Sequence, residues 1–242
     1  MALTAQSVAL RATQVLQDPS SIRWLISEIV QWMNDGQREI VLHRPDANPV
    51  TSTGTLAAGT RQTLVGMTGI TNPAKVVDIM RNMAATSNKY AVRLCDREIL
   101  DAQTPGWHAT PASASIVHFM FDPRSPLVFY VYPPATTLAQ LEILYSAYPT
   151  DVAAPSGSDY TSVTGNIGIA DIFGNALLDY ILYRCYLKDS EYAGNRDRAI
   201  THGAAFATSM GIEFKGTLMN APALNVGYNK NSMPNRNPTG PK

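Results

Sequence analysis

Residues 169–192, which read IADIFGNALLDYILYRCYLKDSEY, decide the fold of this chain. On a helix, their apolar side chains nearly encircle the axis. Only Asp171, Asn175 and Asp179 form a narrow polar stripe, at steps of four residues. A helix that is apolar almost all round must be enclosed by other elements or by other subunits. We therefore predict a buried helix here, followed by a corner and a last helix over about 196–212.

Two helices are predicted on the N-terminal side of this element. The first covers residues 4–17 and is stopped by Asp18-Pro19. The second is a long amphipathic helix over 21–43, which Ser20 or Ser21 can cap and which Pro45 cannot continue. Its apolar positions recur at steps of three and four residues: Ile22, Leu25, Ile26, Ile29, Met33, Gly36 and Ile40.

Trp24 and Leu42 fall on the opposite side of this second helix, where we expect water. A tryptophan and a leucine on the otherwise polar face indicate a second buried surface, so we predict that both lie in a subunit interface. Asp35, Arg38 and Glu39 share the polar face. They are either solvated ion pairs, each worth a few tenths of a kcal/mol, or part of the same subunit contact.

The middle of the chain is rich in threonine and glycine and predicts a mainly antiparallel β region, inserted between the helices. Strand-like runs occur at 75–80, 90–95, 116–121, 127–132 and 140–145. The third and fourth of these flank the proline-bearing turn 122–126, as two strands of a hairpin do. Residues 96–103 look like one or two helical turns, and 152–168 like a loop.

Residues 214–242 contain four basic residues and no acid, with many Asn, Pro and Gly. Such a segment cannot build a core, so we predict an extended arm. The predicted fold is α+β, divided into helical body (1–48), β insertion (49–150), helical body (151–213) and arm (214–242). Within the arm, apolar anchors and basic groups suited to docking in a groove are Leu224, Val226, Tyr228, Lys230 and Arg236.

Composition excludes several classes of protein. The 242 residues carry 19 basic and 19 acidic side chains, so the chain lacks the basic excess of a dedicated duplex-DNA binder. Cys95 and Cys185 are too few for a disulfide framework and fit a reducing compartment. The longest apolar run, 127–132, is too short to span a bilayer, and no signal peptide is visible. We expect a soluble protein without membrane association.

No phosphate loop, CxxC pair or HExxH motif is present, and four histidines are scattered. The densest polar cluster runs from Cys95 to Asp101 and is followed by Trp107 and His108. It could form a carboxylate site with His108 as base or metal ligand. A short helix capped by Asp96 is the simpler interpretation. We therefore predict no catalytic residue, cofactor or metal, and keep a hydrolase-type enzyme at 95–108 as an alternative.

Several stretches together resemble the head-to-tail adaptor (connector) proteins of tailed bacteriophages, by their order and spacing. The resemblance covers roughly residues 4–212. It rests on WMNDGQREI at 32–40, VRLCDREILD at 92–101, FDPR at 121–124, FYVYPP at 129–134, ALLDY at 176–180 and KDSEYA at 188–193.

The resemblance implies a structural virion protein that is not an enzyme. Such adaptors form a ring, usually of twelve copies, which joins the portal vertex to the tail and surrounds the channel for DNA. The implied partners are other copies of the chain, the portal protein, a tail or nozzle protein, and DNA passing without sequence-specific binding. The implied location is the neck of the virion, after synthesis in the host cytoplasm.

Alternatives to the adaptor ring are another neck or tail-completion protein and the enzyme at 95–108. A helical-repeat scaffold is disfavoured because the hairpin around 189–195 has no second copy. From the residues themselves we expect oligomerisation through the helical body. We also expect partner contacts on the charge-poor β insertion, and docking of the arm on the portal.

Overall fold

The computed structural model describes residues 3–85 and 89–220. These ranges form an α+β fold, as predicted. The helices are α1 (Ala5–Leu16), α2 (Ile26–His43), α3 (Arg97–Gln103), α4 (Gly174–Lys188) and α5 (Ala193–Asn220). The strands are β1 (Pro49–Thr55), β2 (Gly59–Thr63), β3 (Pro73–Asn82), β4 (Arg93–Leu94), β5 (His118–Phe121), β6 (Val128–Ala135) and β7 (Gln140–Ala147).

The helical core is built around α4, which packs against α1, α2 and α5. The buried side chains of α4 cover most of its circumference: Ala176, Leu177, Leu178, Ile181, Leu182, Cys185 and Tyr186. Helix α2 comes especially close at Gly36, where an added Cβ would lie 2.7 Å from Tyr180 Cδ1 and 2.8 Å from Leu177 Cδ1. The predicted burial of this helix is confirmed.

The strands form two sheets with the orders β1-β7-β3 and β2-β6-β5-β4. Every pair is antiparallel except β4–β5, which is parallel, so the predicted β region is confirmed. Alternate residues of both sheets meet in a second core, which includes Val76, Ile79, Phe119, Phe129, Val131, Leu141, Ile143 and Tyr145.

The buried amide of Asn82 ties the end of β3 to the segment before β5. Its Nδ2 donates to the carbonyls of Tyr90 at 3.0 Å and Ile116 at 2.8 Å. Its Oδ1 accepts from the backbone N–H of Ile116 at 2.7 Å. Since β3 and β5 belong to different sheets, one side chain fixes the spacing between the two sheets on this side of the second core.

Helix α2 begins at Ile26, five residues later than predicted. Neither Ser20 nor Ser21 caps it. The backbone N–H groups of Ile22, Arg23 and Trp24 instead donate to the Asp18 carboxylate, which holds residues 18–24 in a turn. A carboxylate that satisfies three amides outside a helix competes directly with helix formation. Ile22, predicted to face the core, is consequently 81% exposed.

Two helix ends also differ from the predictions. The buried helix is preceded by a single 3-10 turn, Asp171–Phe173, and ends at Lys188 rather than at residue 192. The last helix continues to Asn220, so the prediction of an extended chain over 214–220 is wrong. No proline interrupts the sequence before Pro222, so nothing in 213–220 forces the helix to stop. The remainder of the predicted arm, 221–242, lies outside the described residues.

Replacing Asp18 by alanine should destabilise the protein by about 1 kcal/mol at neutral pH, the usual cost of losing a capping side chain. Desolvation raises the pKa of Asp18. The three backbone N–H bonds and the Arg23 charge outweigh it, and the net pKa lies below its ordinary value. The stabilisation is therefore present above the unfolded pKa, near 3.9, and is lost as the pH falls through the folded pKa.

Urea denaturation at pH 7 and in mild acid measures this effect. The difference in the free energy of unfolding between wild type and Asp18→Ala should become smaller in acid. Asp197→Ala, on the exposed side of α5, is the matched control and should leave stability unchanged. A gap that stays constant down to pH 2 would contradict the carboxylate's role.

Replacing Asn82 by alanine should lower stability by about 2–3 kcal/mol, because the buried N–H and the buried carbonyl of Ile116 would lose their hydrogen-bond partner. Thermal unfolding followed by circular dichroism measures the loss. Asn166→Ala provides the comparison, since the exposed Asn166 side chain makes no hydrogen bond with the described residues. Equal melting temperatures for the two variants would show that Asn82 does not hold the sheets together.

Candidate interaction surfaces

The indole of Trp24 lies inside the protomer, so its predicted place on an exposed face is wrong. Its Nε1 donates to the carbonyl of Cys185 at 2.9 Å, and its ring meets Tyr186 edge-on. Only 6% of the residue is exposed. The helical geometry assumed for Trp24 does not apply, because the residue belongs to the Asp18 turn. The Trp24 side chain fixes the turn against α4. It therefore does not support a subunit contact.

Leu42 does lie on the surface, with 72% of the residue exposed near the C-terminal end of α2. Its predicted role in a subunit interface remains a prediction. The exposure is consistent with that role.

A second exposed apolar group surrounds the Asp18 turn. We call it the corner patch, and it comprises Ile22, Leu25, Leu187 and Tyr192. An ion pair between Arg23 and Asp189 joins the turn to the corner after α4, and the Arg23 guanidinium lies 5.9 Å from the Tyr192 ring centroid. Exposed apolar side chains gathered in this way are typical of protein contacts. The sequence did not predict this patch, because a helix over 21–43 would place Ile22 and Leu25 on the face that packs against the core.

The polar face of α2 makes contacts within the chain. Arg38 pairs with Asp35 at 3.3 Å and with Asp151 at 2.6 Å. Asn34 donates to the carbonyl of Val152 at 3.1 Å and accepts from its N–H at 2.8 Å. This face therefore holds the start of the loop that follows β7. The half-exposed pair of Arg38 with Asp35 confirms the solvated helical ion pair among the two alternatives, and the contacts with Asp151 and Val152 are additional to it.

The cluster at 95–108 forms a capped helix, the simpler of its two interpretations. The Asp96 carboxylate accepts from the N–H of Glu98 at 3.0 Å. Arg97 pairs with Asp101 at 3.4 Å. Asp101 also accepts from the indole N–H of the fully buried Trp107 at 2.7 Å. Two of the cluster's carboxylates thus organise α3 and the 3-10 turn after it.

His108 is held in the same way. Its ring stacks on Trp107 with 3.6 Å between the centroids, and its Nδ1 lies 2.8 Å from Thr60 Oγ1. Within the described ranges no three His, Cys, Asp or Glu residues converge as metal ligands would. The packing of His108 supports a structural role in joining the turn Trp107–Ala109 to β2.

The two cysteines differ in their surroundings. Cys185 is fully buried in the helical core, and desolvation raises the pKa of its thiol far above the ordinary value. It behaves as the small buried hydrophobe that the sequence predicts. Cys95 is half-buried, beside the small cluster of Leu100, Trp107 and Met120.

A cleft of about 870 Å³ opens on the outer face of the second sheet, beside α3. Met120, Val128 and Tyr130 line it from β5 and β6, and the guanidinium of Arg97 lies 5.5 Å from the Tyr130 ring centroid. Residues of β2, of the β4–α3 junction and of the β5–β6 turn complete its walls. These segments are distant in sequence, so no local pattern could have predicted the cleft.

The predicted anchors of the arm, Leu224, Val226, Tyr228, Lys230 and Arg236, lie outside the described residues. Over the part of the chain that the structure does describe, no helix is both long and apolar enough to cross a membrane.

Comparison with known proteins identifies the family. No curated protein sequence matches the chain. The model of the family described as SU10 adaptor protein matches residues 3–226, a span that includes the helical core, both sheets and all of α5. Phage adaptors are virion components and act through contacts with other virion proteins. The chain therefore belongs to the SU10 adaptor protein family, a family of phage head-to-tail adaptors, in agreement with the resemblance carried by its sequence.

Proposed function

We propose that this protein forms a ring, expected to hold twelve copies, which joins the portal vertex to the tail and surrounds the DNA exit channel. The observation that carries the proposal is the family match over residues 3–226, because it spans the helical body and the β insertion together. The role is structural rather than catalytic. The proposed location is the neck of the virion, after synthesis in the host cytoplasm.

A closed ring needs a heterologous interface, in which each subunit presents two different patches. The corner patch and Leu42 meet this requirement on the helical body. Leu25 and Leu42 are separated by 17 positions, about 25 Å along the axis of α2 at the usual rise per residue. This separation is large enough for the two surfaces to contact different neighbours in the proposed ring.

The charge balance supports passage of DNA through such a ring. The chain has as many acidic as basic side chains, so its overall field does not bind phosphates tightly. A conduit needs this property, since DNA must move through it without sequence-specific arrest.

We assign a separate function to each of the predicted segments of the chain. The helical body, 1–48 and 151–213, forms the ring, and the β insertion, 49–150, contacts a portal or a tail or nozzle protein. Residues 102–121 contain no charged side chain, which suits a desolvated contact. Beyond Asn220, the anchors Leu224, Val226 and Tyr228 would occupy pockets on the portal, while Lys230 and Arg236 meet an acidic rim.

Introducing a charge into either patch should break the ring and spare the fold. We expect Leu42→Glu and Ile22→Glu each to weaken self-association at least about tenfold, because a carboxylate would be buried in an apolar contact. Sedimentation velocity measures the assembly, and circular dichroism checks folding.

Val65→Glu is the control, since Val65 is similarly exposed but lies on the β insertion. It should assemble like the wild type. Normal ring formation by both patch variants would exclude these surfaces from the subunit interface.

Removing residues 221–242 should weaken attachment to the portal and preserve the ring. The truncation falls after the last residue of α5, so it leaves every described helix intact. Binding to the purified portal of the same phage, measured by biolayer interferometry, should weaken at least about tenfold. Lys230→Gln with Arg236→Gln should reduce the salt dependence of binding. Unchanged affinity of the truncated ring would refute the docking role of the arm.

A further inference from the structure

The turn between α1 and α2 carries local strain next to the corner patch. Ser21 has a backbone φ of 50°, in the left-handed region that a residue with a side chain rarely adopts. The residue is only 2% exposed, and its Oγ has no hydrogen-bond partner among the described residues. Ile22, which follows it, is 81% exposed. A strained serine, a buried unbonded hydroxyl and an exposed isoleucine all oppose the conformation of this turn.

Three contacts hold the turn in place despite this strain. The Asp18 carboxylate accepts from the backbone N–H groups of residues 22–24 at 2.8–3.1 Å. Arg23 pairs with Asp189, and the Trp24 indole donates to a carbonyl of α4 at 2.9 Å. The contact with Asp18 determines the path of the backbone, because three consecutive N–H groups must point at one carboxylate.

The same residues also fit a helix. The apolar positions keep their spacing of three and four residues through Ile22 and Leu25. A helix over 21–43 would therefore carry both on the face of Ile26, Ile29 and Met33, which are at most 2% exposed. Local sequence preference and the observed structure disagree at this segment. Such disagreement is expected at strained or functional sites.

One more turn of α2 would run beside the corner that follows α4. The start of α2 already lies there, since Glu28 pairs with Lys188 at 2.6 Å. Leu187 and Tyr192, which belong to the corner patch, are exposed at this corner. The helical form moves the other two members of the patch from the surface to the core-facing side of α2, so the patch is lost.

We propose that residues 18–25 are a two-state switch that controls self-association through the corner patch. With the Asp18 carboxylate bound, the segment is the turn seen in the structure, and the patch is open to a second copy of the chain. Without that bond, residues 21–25 join α2 as a helix and the patch is closed. A neighbouring subunit that contacts the patch binds only the turn, so assembly selects the turn. This inference rests on the proposed ring for its partner, although the switch itself lies within one protomer.

Thiol labelling measures the switch in single protomers. Ile22→Cys is placed in a Cys95→Ala background, in which the remaining Cys185 is fully buried. The full chain is labelled with a maleimide at a concentration at which it sediments as a monomer. Asp18→Ala should slow labelling at residue 22 at least about tenfold, since only the open fraction reacts. Gln31→Cys, exposed on α2, is the matched control and should react at the same rate with and without the Asp18→Ala change.

A second pair of variants tests whether the closed form is helical. Leu25 has φ −57° and ψ 137°, which suit proline, and no described residue accepts from its N–H. Leu25→Pro therefore permits the turn, but in a helix over 21–43 its ring would clash with the carbonyl of Ser21. Leu25→Ala permits both forms. In Asp18→Ala protein, labelling at residue 22 should stay slow with Leu25→Ala and become fast again with Leu25→Pro.

Sedimentation velocity connects the switch to assembly, and circular dichroism checks that each variant is folded. Asp18→Ala should weaken self-association at least about tenfold, and Asp197→Ala should not. The switch is overturned if Asp18→Ala leaves labelling at residue 22 unchanged or makes it faster. Slower labelling with normal self-association overturns its role in assembly. If the wild-type chain does not self-associate, the proposed ring fails, and labelling alone then decides the switch.

Discussion

The burial of α4 among three other helices is the constraint on which the rest of the structure depends. Its buried side chains cover most of its circumference, so no single neighbour can cover them. The chain meets this demand with α1 and α2 from before the β region and α5 from after it. The β region leaves and re-enters the helical body at one place. It does so where the N–H of Ala147 donates to the carbonyl of Asn48 at 3.0 Å, and that of Ala170 to Ala47 at 2.9 Å.

Sequence reasoning succeeded where local patterns decide the structure. Three predictions depend only on residues close together in the sequence. They are the burial of the helix within 169–192, the turn at 122–126 and the cap at Asp96. It failed at the start of α2. The apolar residues keep their helical spacing through 22–25, but Asp18 binds the backbone N–H groups of Ile22, Arg23 and Trp24 and holds this segment in a turn. For this reason Ile22 was predicted to be buried and Trp24 to be exposed, whereas in the structure Ile22 is exposed and Trp24 is buried. The cleft was beyond reach because its walls come from segments far apart in the chain.

The polar groups that first suggested chemistry have structural roles in this fold. Asp96 caps α3, Asp101 holds Arg97 and Trp107, and His108 stacks on Trp107. The groups without partners are of a different kind. They include the exposed apolar side chains of the corner patch and Leu42. A protein with these free surfaces is suited to contacts with other proteins, in keeping with its membership of an adaptor family.

The mass of the assembled particle tests the proposed ring most directly. Native mass spectrometry of the full chain, alone and with its portal, distinguishes a closed ring from other assemblies without assumptions about shape. A closed ring predicts one dominant species at a single multiple of the 26.3 kDa chain mass, expected at twelve copies, to which the mass of the portal is added in the complex. A 26.3 kDa monomer under both conditions, or an open series of masses without a preferred size, would contradict it.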